Sequence, residues 1–204
     1  MKLDNSKIAG ILISVGSAQC ILGIIVAEAL YPGYSTSQNH ISDLGVGPSS
    51  VIFNSSMIVL GVFGVAATYF THQALKRRIF TFLLMMGSVG ALGVGVFPEN
   101  MERIHTAFSL IVFLFTGLAA LWSYRVEEPP FSYSFVILGG IALIALILFA
   151  ADVHLGLGKG GMERMIAYPE LLWAMSFGSR LPRIHQSPPK GFVRSSTPSN
   201  EQRV

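Results

Sequence analysis

Charged residues are scarce in this sequence. Only 12% of its 204 residues are charged and 51% are hydrophobic, whereas soluble domains carry roughly 25% charged residues. An ordinary water-soluble domain is therefore excluded, and repeated apolar runs of nearly 20 residues indicate an integral membrane protein. The single cysteine, Cys20, lies within one of these runs and excludes an intrachain disulfide.

Sequence motifs for common enzyme classes are also missing. The chain contains no HExxH, no CxxC and no nucleophile elbow, so no metalloprotease, zinc ribbon or α/β-hydrolase can be assigned from a motif. The basic residues are spread over predicted loops and the C-terminal tail rather than gathered in one patch. We therefore expect membrane lipid, and no nucleic acid, as a partner.

Six apolar runs predict an all-α, six-transmembrane-helix bundle. The first run is too long for the apolar core of a signal peptide, so we interpret it as a retained helix. We place the bundle in residues 1–179 and predict a disordered basic tail over residues 180–204, since Pro, Ser and Arg dominate there. The predicted spans are 8–30, 50–72, 79–97, 105–124, 133–151 and 162–177.

The distribution of Lys and Arg predicts the orientation of the bundle. With six spans, eleven of the 14 basic residues fall on the face that carries both termini. Because cytoplasmic loops are enriched in Lys and Arg, we expect both termini to be cytoplasmic in a cell membrane. Residues 31–48, between the first two spans, are then outside.

Residues 31–48 read YPGYSTSQNHISDLGVGP, a polar stretch without Lys or Arg between turn-forming Pro and Gly residues. Tyr34 and Asn39 are candidates for ligand binding, and His40 and Asp43 are candidates for catalysis. If residues 37–44 form a short helix, His40 and Asp43 are three residues apart and share a face.

Other polar residues are predicted on the same side of the membrane. His105 opens the fourth span, Asp152 and His154 follow the fifth, and Arg164 lies near the start of the sixth. We therefore expect the site to gather around one outer-facing cavity, with Arg164 binding a phosphate or carboxylate.

Two kinds of chemistry fit this set of residues. His40, His105 and His154 could hold a zinc ion with an open position for water. They could equally act as acid–base groups oriented by Asp43 and Asp152. The simpler alternative is that all these side chains only cap helix ends at the level of the lipid headgroups.

Glu170 follows Pro169 within the last span. An ionisable residue at that depth is expected to face the bundle interior or a cavity. We include Glu170 among the ligand-binding candidates, and it favours an alternative, non-enzymatic function as a small transporter, sensor or assembly partner.

Three segments carry a resemblance to a known family: YPGYSTSQNHISDLG, FPENMERIH and GMERMIAYPELLW. Through them the chain resembles a multi-helix membrane family of archaea and bacteria that is catalogued as a domain of unknown function. The resemblance implies a six-helix bundle and no particular activity. A looser likeness to membrane-embedded hydrolases with three histidines and an aspartate is an analogy alone, because the paired HxxxH of that group is missing. Our first hypothesis, based on the residues themselves, is hydrolysis or modification of a lipid headgroup.

Overall fold

The computed structural model describes residues 4–186, which contain six α-helices and no β-strand. This confirms the predicted all-α bundle. Single 3-10 turns occur at Ser42–Gly45, Glu99–Met101 and Ser123–Arg125. The helices are α1 Asn5–Ala29, α2 Ser50–Leu75, α3 Arg78–Val96, α4 Glu102–Trp122, α5 Phe131–Ala150 and α6 Gly158–Gln186.

Five of the six helices, α1 to α5, are long and apolar enough to cross a membrane. Helix α6 has 29 residues, which is ample length, but it carries charged side chains from Lys159 to Arg183. Glu163, Arg164 and Glu170 are buried within the protein, whereas Lys159 is exposed. The three buried charged side chains are therefore surrounded by protein rather than by lipid.

Each helix packs against the next in sequence, and α6 returns to α1, which closes a ring. Helices α4 and α6 also touch across the ring. The backbones of α1 and α6 approach closely where Gly10 meets Gly178, since a Cβ on Gly10 would lie 2.5 Å from the Gly178 carbonyl oxygen. Small residues permit such close contact between helices in lipid.

The two ends of the bundle differ in composition. At the polar end, the α1–α2 loop (residues 30–49) meets the α3–α4 turn and the start of α6. At the basic end lie the α2–α3 turn with Lys76 and Arg77, the α4–α5 turn, and the described chain termini. In the half of the bundle nearer the basic end, Phe177 of α6 packs against Phe80 of α3 and Phe135 of α5.

Helix α6 continues through Gln186, past the predicted domain boundary at residue 179. Arg180, assigned from the sequence to a disordered tail, is therefore helical. Its guanidinium pairs with Glu127, the Nε donating to Oε2 at 2.6 Å. Residues 187–204 of the predicted tail lie outside the described residues.

Candidate functional site

Arg164 ties the α1–α2 loop to α6. Its Nη1 donates to the backbone carbonyls of Thr36 at 2.9 Å, Asn39 at 3.3 Å and Gly160 at 2.8 Å. Its Nη2 donates to the Tyr34 hydroxyl at 2.7 Å and forms an ion pair with Glu28 of α1. Both terminal nitrogens are thus occupied by the protein. The predicted contact of Arg164 with a ligand anion would require breaking these bonds if it were made through the terminal nitrogens, whereas Nε has no hydrogen-bond partner among the described residues.

Tyr34 uses its hydroxyl in two directions. It donates to the His40 carbonyl at 2.7 Å and accepts from Arg164. Burial is the main reason that the pKa of Tyr34 rises to about 12. Tyr34, a predicted ligand-binding residue, therefore serves in this structure to hold the loop.

Asn39 and Asp43 stabilise the loop backbone. The Asn39 amide nitrogen donates to Asp43 Oδ2 at 3.0 Å, and the backbone N–H of His40 donates to the same oxygen at 2.9 Å. Burial acts to raise the pKa of Asp43, but hydrogen bonds from Asn39, Glu99 and the His40 N–H outweigh burial and lower it. Asp43 therefore holds the backbone of His40 rather than its ring.

Residues 37–44 do not form the short helix that would have placed His40 and Asp43 on one face; only Ser42–Gly45 makes a single 3-10 turn. The local spacing of His40 and Asp43 consequently does not bring their side chains onto a shared helical face. The Asp43 carboxylate is used by main-chain and amide donors of the loop, which compete with helix formation.

The imidazole of His40 instead faces α6. Its Nδ1 lies 3.2 Å from Glu163 Oε2, and the same oxygen accepts the backbone N–H of Ile41 at 2.7 Å. The hydrogen bond to Glu163 is the largest cause of a raised pKa for His40. Sequence reasoning missed this partner, and its only signal was an acidic residue next to Arg164 at the start of the last span.

The loop lies directly on the first turn of α6, where glycines make room for it. The Gly160 N–H donates to the Ser37 carbonyl at 3.0 Å. A Cβ on Gly160 would overlap the Asn39 carbonyl oxygen, and Gly158 has a φ of 76°, which favours glycine. The glycines of the GKGG sequence thus permit contacts that Arg164 and Glu163 then complete.

The remaining two predicted histidines lie in different surroundings. His105 is buried at the start of α4, and its Nδ1 is 2.8 Å from the Phe97 carbonyl. His154 Nε2 lies 3.4 Å from Asp152 Oδ1 in the α5–α6 turn, where the Asp152 side chain is 93% exposed. His105 and His154 therefore have separate partners, and neither of these is Glu163.

This distribution does not support the hypothesis of a zinc site on His40, His105 and His154. Within residues 4–186, no three His, Cys, Asp or Glu side chains are grouped so that they could hold a metal ion. The physical reason is that each imidazole is oriented by its own nearby acceptor: a carboxylate of α6, a backbone carbonyl, or a solvated aspartate.

A cavity of about 130 Å³ lies inside the bundle. Helices α1, α2, α3, α4 and α6 contribute to its wall, which is mostly apolar. His105 and Glu163 line it toward the polar end, so His40 reaches the wall indirectly through Glu163. Hydroxyl groups in the wall come from Ser17, Ser42, Thr68, Ser88, Ser109 and Thr116.

Two acidic residues of the described chain line the cavity, and Glu170 lies farther from the polar end than Glu163 does. It is 4% exposed and lines the cavity, as its position after Pro169 in the last predicted span suggests. Its Oε1 is close to Gly117 of α4 and has no hydrogen-bond partner among the described residues. Unpaired carboxyl oxygens at such depth are costly in proteins, so this atom is the most unusual feature of the cavity.

Comparison with known families gives one match: the family described as "Protein of unknown function (DUF998)" covers residues 14–180. Neither curated proteins nor solved structures give a match. The matched segment contains α2 to α5, most of α1 and α6, the α1–α2 loop and the whole cavity wall except Leu12 and Ile13. The chain belongs to the DUF998 family.

Proposed function

We propose that this membrane protein binds one small, largely apolar molecule in the cavity inside its helix bundle. The observation that carries the proposal is the unpaired Oε1 of Glu170 in a mostly apolar wall. A buried polar atom without a partner costs about 1–3 kcal/mol or more. A ligand that supplies the missing partner would remove this cost when it binds.

The size of the cavity supports the same proposal. A volume of about 130 Å³ is similar to that of an engineered protein cavity, about 150 Å³, that takes up benzene. Apolar ligand sites with a few convergent polar groups are the usual form of small-molecule sites. We therefore expect a ligand with an apolar body of about the size of one aromatic ring and one polar group.

The proposed orientation puts the polar end on the outer face of the cell membrane and both termini in the cytoplasm. Its support is the charge distribution. Turn residues Lys76 and Arg77 and the helical residues Arg78 and Arg180 lie at or near the basic end. A binding protein or small transporter placed in this way would face outside with its α1–α2 loop.

Filling the cavity tests the binding function. Ala91 is 2% exposed and lines the cavity, so Ala91→Leu should fill part of the space. We expect wild-type protein in nanodiscs to bind 4-fluorotoluene, measured by ¹⁹F NMR, and the variant to bind at least tenfold more weakly. Ala150→Leu, on an exposed position of α5 outside the cavity wall, is the matched control.

Unaltered binding by Ala91→Leu, or no binding by the wild type beyond that of empty nanodiscs, would overturn the proposal. Because overpacking can destabilise a bundle, a second filling variant, Ala167→Leu, is measured in parallel. Thermal unfolding of each variant then separates a filled cavity from an unfolded protein.

Hydrolysis or modification of a lipid headgroup is a second candidate, favoured by His105. Its Nδ1 is fixed by the Phe97 carbonyl while the residue lines the cavity. This geometry leaves Nε2 as the nitrogen for acid–base chemistry. The enzyme hypothesis predicts release of headgroup or fatty acid from lipid by the wild type, and loss of that release in His105→Ala.

A further inference from the structure

We infer that the cavity selects a cation, namely an organic ammonium group on an apolar body that pairs with the Glu170 carboxylate. This inference rests on the proposed function, since it specifies the ligand of the same cavity. Four features support it. Among the described residues, the cavity wall contains carboxylates but no Lys or Arg, and Arg164 and Arg180 are paired with other groups. Aromatic side chains and hydroxyl oxygens also line the cavity.

The ionisable residues in the wall favour positive charge. Glu163, Glu170 and His105 line the cavity, and none of the described lining residues is Lys or Arg. Glu163 is already engaged, since its Oε2 accepts from the Ile41 N–H and lies beside the His40 ring. Glu170 is therefore the carboxylate available to a ligand.

Arg164 and Arg180 of α6 do not neutralise Glu170. Arg164 directs both terminal nitrogens to the α1–α2 loop and to Glu28. Arg180 directs its guanidinium to Glu127 at the basic end. An ionised carboxylate in an apolar site is stabilised by an opposite charge close to it, and in this structure neither of these arginines supplies one.

The rest of the wall suits an ammonium ion on an apolar body. Phe53, Phe113 and Trp173 line the cavity, and aromatic faces attract cations, more strongly where water is excluded. Hydroxyl oxygens of Ser88 and Thr116 line the same space and can accept N–H donors. An anionic ligand would face two carboxylates without a lysine or arginine in the wall.

Paired probes of equal shape test the inference. 4-Fluorobenzylamine carries an ammonium group near neutral pH, while 4-fluorobenzyl alcohol and 4-fluorotoluene are uncharged. Binding to the full chain in nanodiscs of zwitterionic lipid is followed by ¹⁹F NMR, with empty nanodiscs as the reference. We expect the wild type to bind the amine at least tenfold more tightly than either neutral probe.

Glu170→Gln keeps the shape of the side chain and removes its charge. We expect this variant to lose at least tenfold in affinity for the amine and to change less than twofold for 4-fluorotoluene. Retained binding of the neutral probe shows that the variant is folded. Glu128→Gln, on an exposed residue of the α4–α5 turn, is the matched control and should leave all affinities unchanged.

The outcomes separate the two proposals. If no probe binds the wild type, the proposed binding function fails. If the neutral probes bind as tightly as the amine, or if 4-fluorobenzoate binds most tightly, the cavity is a ligand site and the inference of cation selection is overturned. An amine preference that survives Glu170→Gln would also overturn it, since the charge would then come from another residue.

Discussion

The two ends of the bundle each use an arginine of α6, in different ways. At the polar end, Arg164 donates to three backbone carbonyls and a phenol and pairs with Glu28. At the basic end, Arg180 gives two hydrogen bonds to Glu127 and packs on the Phe131 ring at 3.6 Å. Arg164 donates hydrogen bonds to backbone carbonyls of a largely irregular loop. Arg180 instead links α6 to the neighbouring α4–α5 turn through Glu127.

The two arginines differ because Arg164 supplies hydrogen-bond donors that the main chain supplies in a helix. Buried backbone carbonyls need a donor, and in helices the main chain supplies it. In the α1–α2 loop the carbonyls of Thr36 and Asn39 receive that donor from Arg164 instead. The backbone of the polar end therefore takes part of its hydrogen bonding from the Arg164 side chain, while the basic end would keep most of its hydrogen bonds without Arg180.

The largest effect is expected from Arg164→Gln compared with Arg180→Gln. Removing Arg164 leaves Glu28 without its cation and the loop carbonyls without their donors. Breaking such a buried ion pair costs about 3–5 kcal/mol. For Arg180→Gln we expect about 1–3 kcal/mol, because Glu127 still accepts from the Glu128 N–H. Reversible unfolding of both variants in the same detergent measures the difference.

Hydrogen exchange gives the regional readout for this pair. Amides of residues 31–49 should exchange faster in Arg164→Gln and remain protected in Arg180→Gln. Equal destabilisation by the two variants, or loop protection that persists without Arg164, would show that the two ends are held in the same way.

The next effect is expected from the close contact between loop and helix. Gly160→Ala places a Cβ against the Asn39 carbonyl, so the loop must shift and release its bonds to Arg164. We expect a loss of about 1–3 kcal/mol, as for other overpacked sites. Gly140→Ala in α5 is the matched control because no atom would lie within 4 Å of its Cβ.

At Gly140, alanine should be neutral or stabilising by up to about 1 kcal/mol, since alanine favours helices more than glycine does. Both variants are compared by thermal unfolding in detergent. If Gly160→Ala is as stable as Gly140→Ala, the loop does not require its close seat on α6 and the account of the GKGG sequence is wrong.

The sequence predicted the features that depend on local pattern. Six apolar runs predicted the six helices, and a polar stretch without Lys or Arg predicted the α1–α2 loop. The position of Glu170 deep in the last span predicted that its side chain is buried inside the bundle. The pairing of His40 with Glu163 and of Arg164 with Glu28 joins residues 123 and 136 positions apart. No helical spacing rule relates residues at such separations.

The local rule failed where a competing interaction was stronger. A helix over residues 37–44 would have paired His40 with Asp43, but Asp43 accepts from the loop backbone and from Asn39. Side chains of Asp and Asn offer the main chain such alternatives to helix. Sequence patterns therefore identified the residues of the polar end correctly as a group and could not assign their partners.

A smaller effect is expected from the titration of His40. Glu163 of α6, Glu99 of the α3–α4 turn and Asp43 of its own loop all act to raise the pKa of His40, while burial acts against them. Because the folded pKa is raised above the unfolded value near 6.5, the pair contributes stability fully below that value. The contribution is lost as pH rises through the raised pKa.

Glu163→Gln should bring the pKa of His40 back toward 6.5, as followed by NMR of the imidazole. It should also destabilise the protein more at pH 6 than at pH 8, because only protonated His40 gains from the carboxylate. Glu128→Gln serves again as the control, since Glu128 is exposed in the α4–α5 turn. A destabilisation that grows with pH would contradict the assigned ion pair.

The smallest effect is expected from the second histidine–carboxylate pair of the polar end. Asp152 and His154 are 3.4 Å apart in the α5–α6 turn, but the Asp152 side chain is 93% exposed whereas Glu163 is 8% exposed. Exposed ion pairs contribute little because water and salt screen them. Asp152→Asn should therefore leave unfolding, the pKa of His40 and amine binding unchanged within error. If Asp152→Asn or His154→Ala weakened amine binding tenfold, this turn would belong to the ligand site, and the contrast between a histidine paired with a buried carboxylate and one paired with an exposed carboxylate would fail.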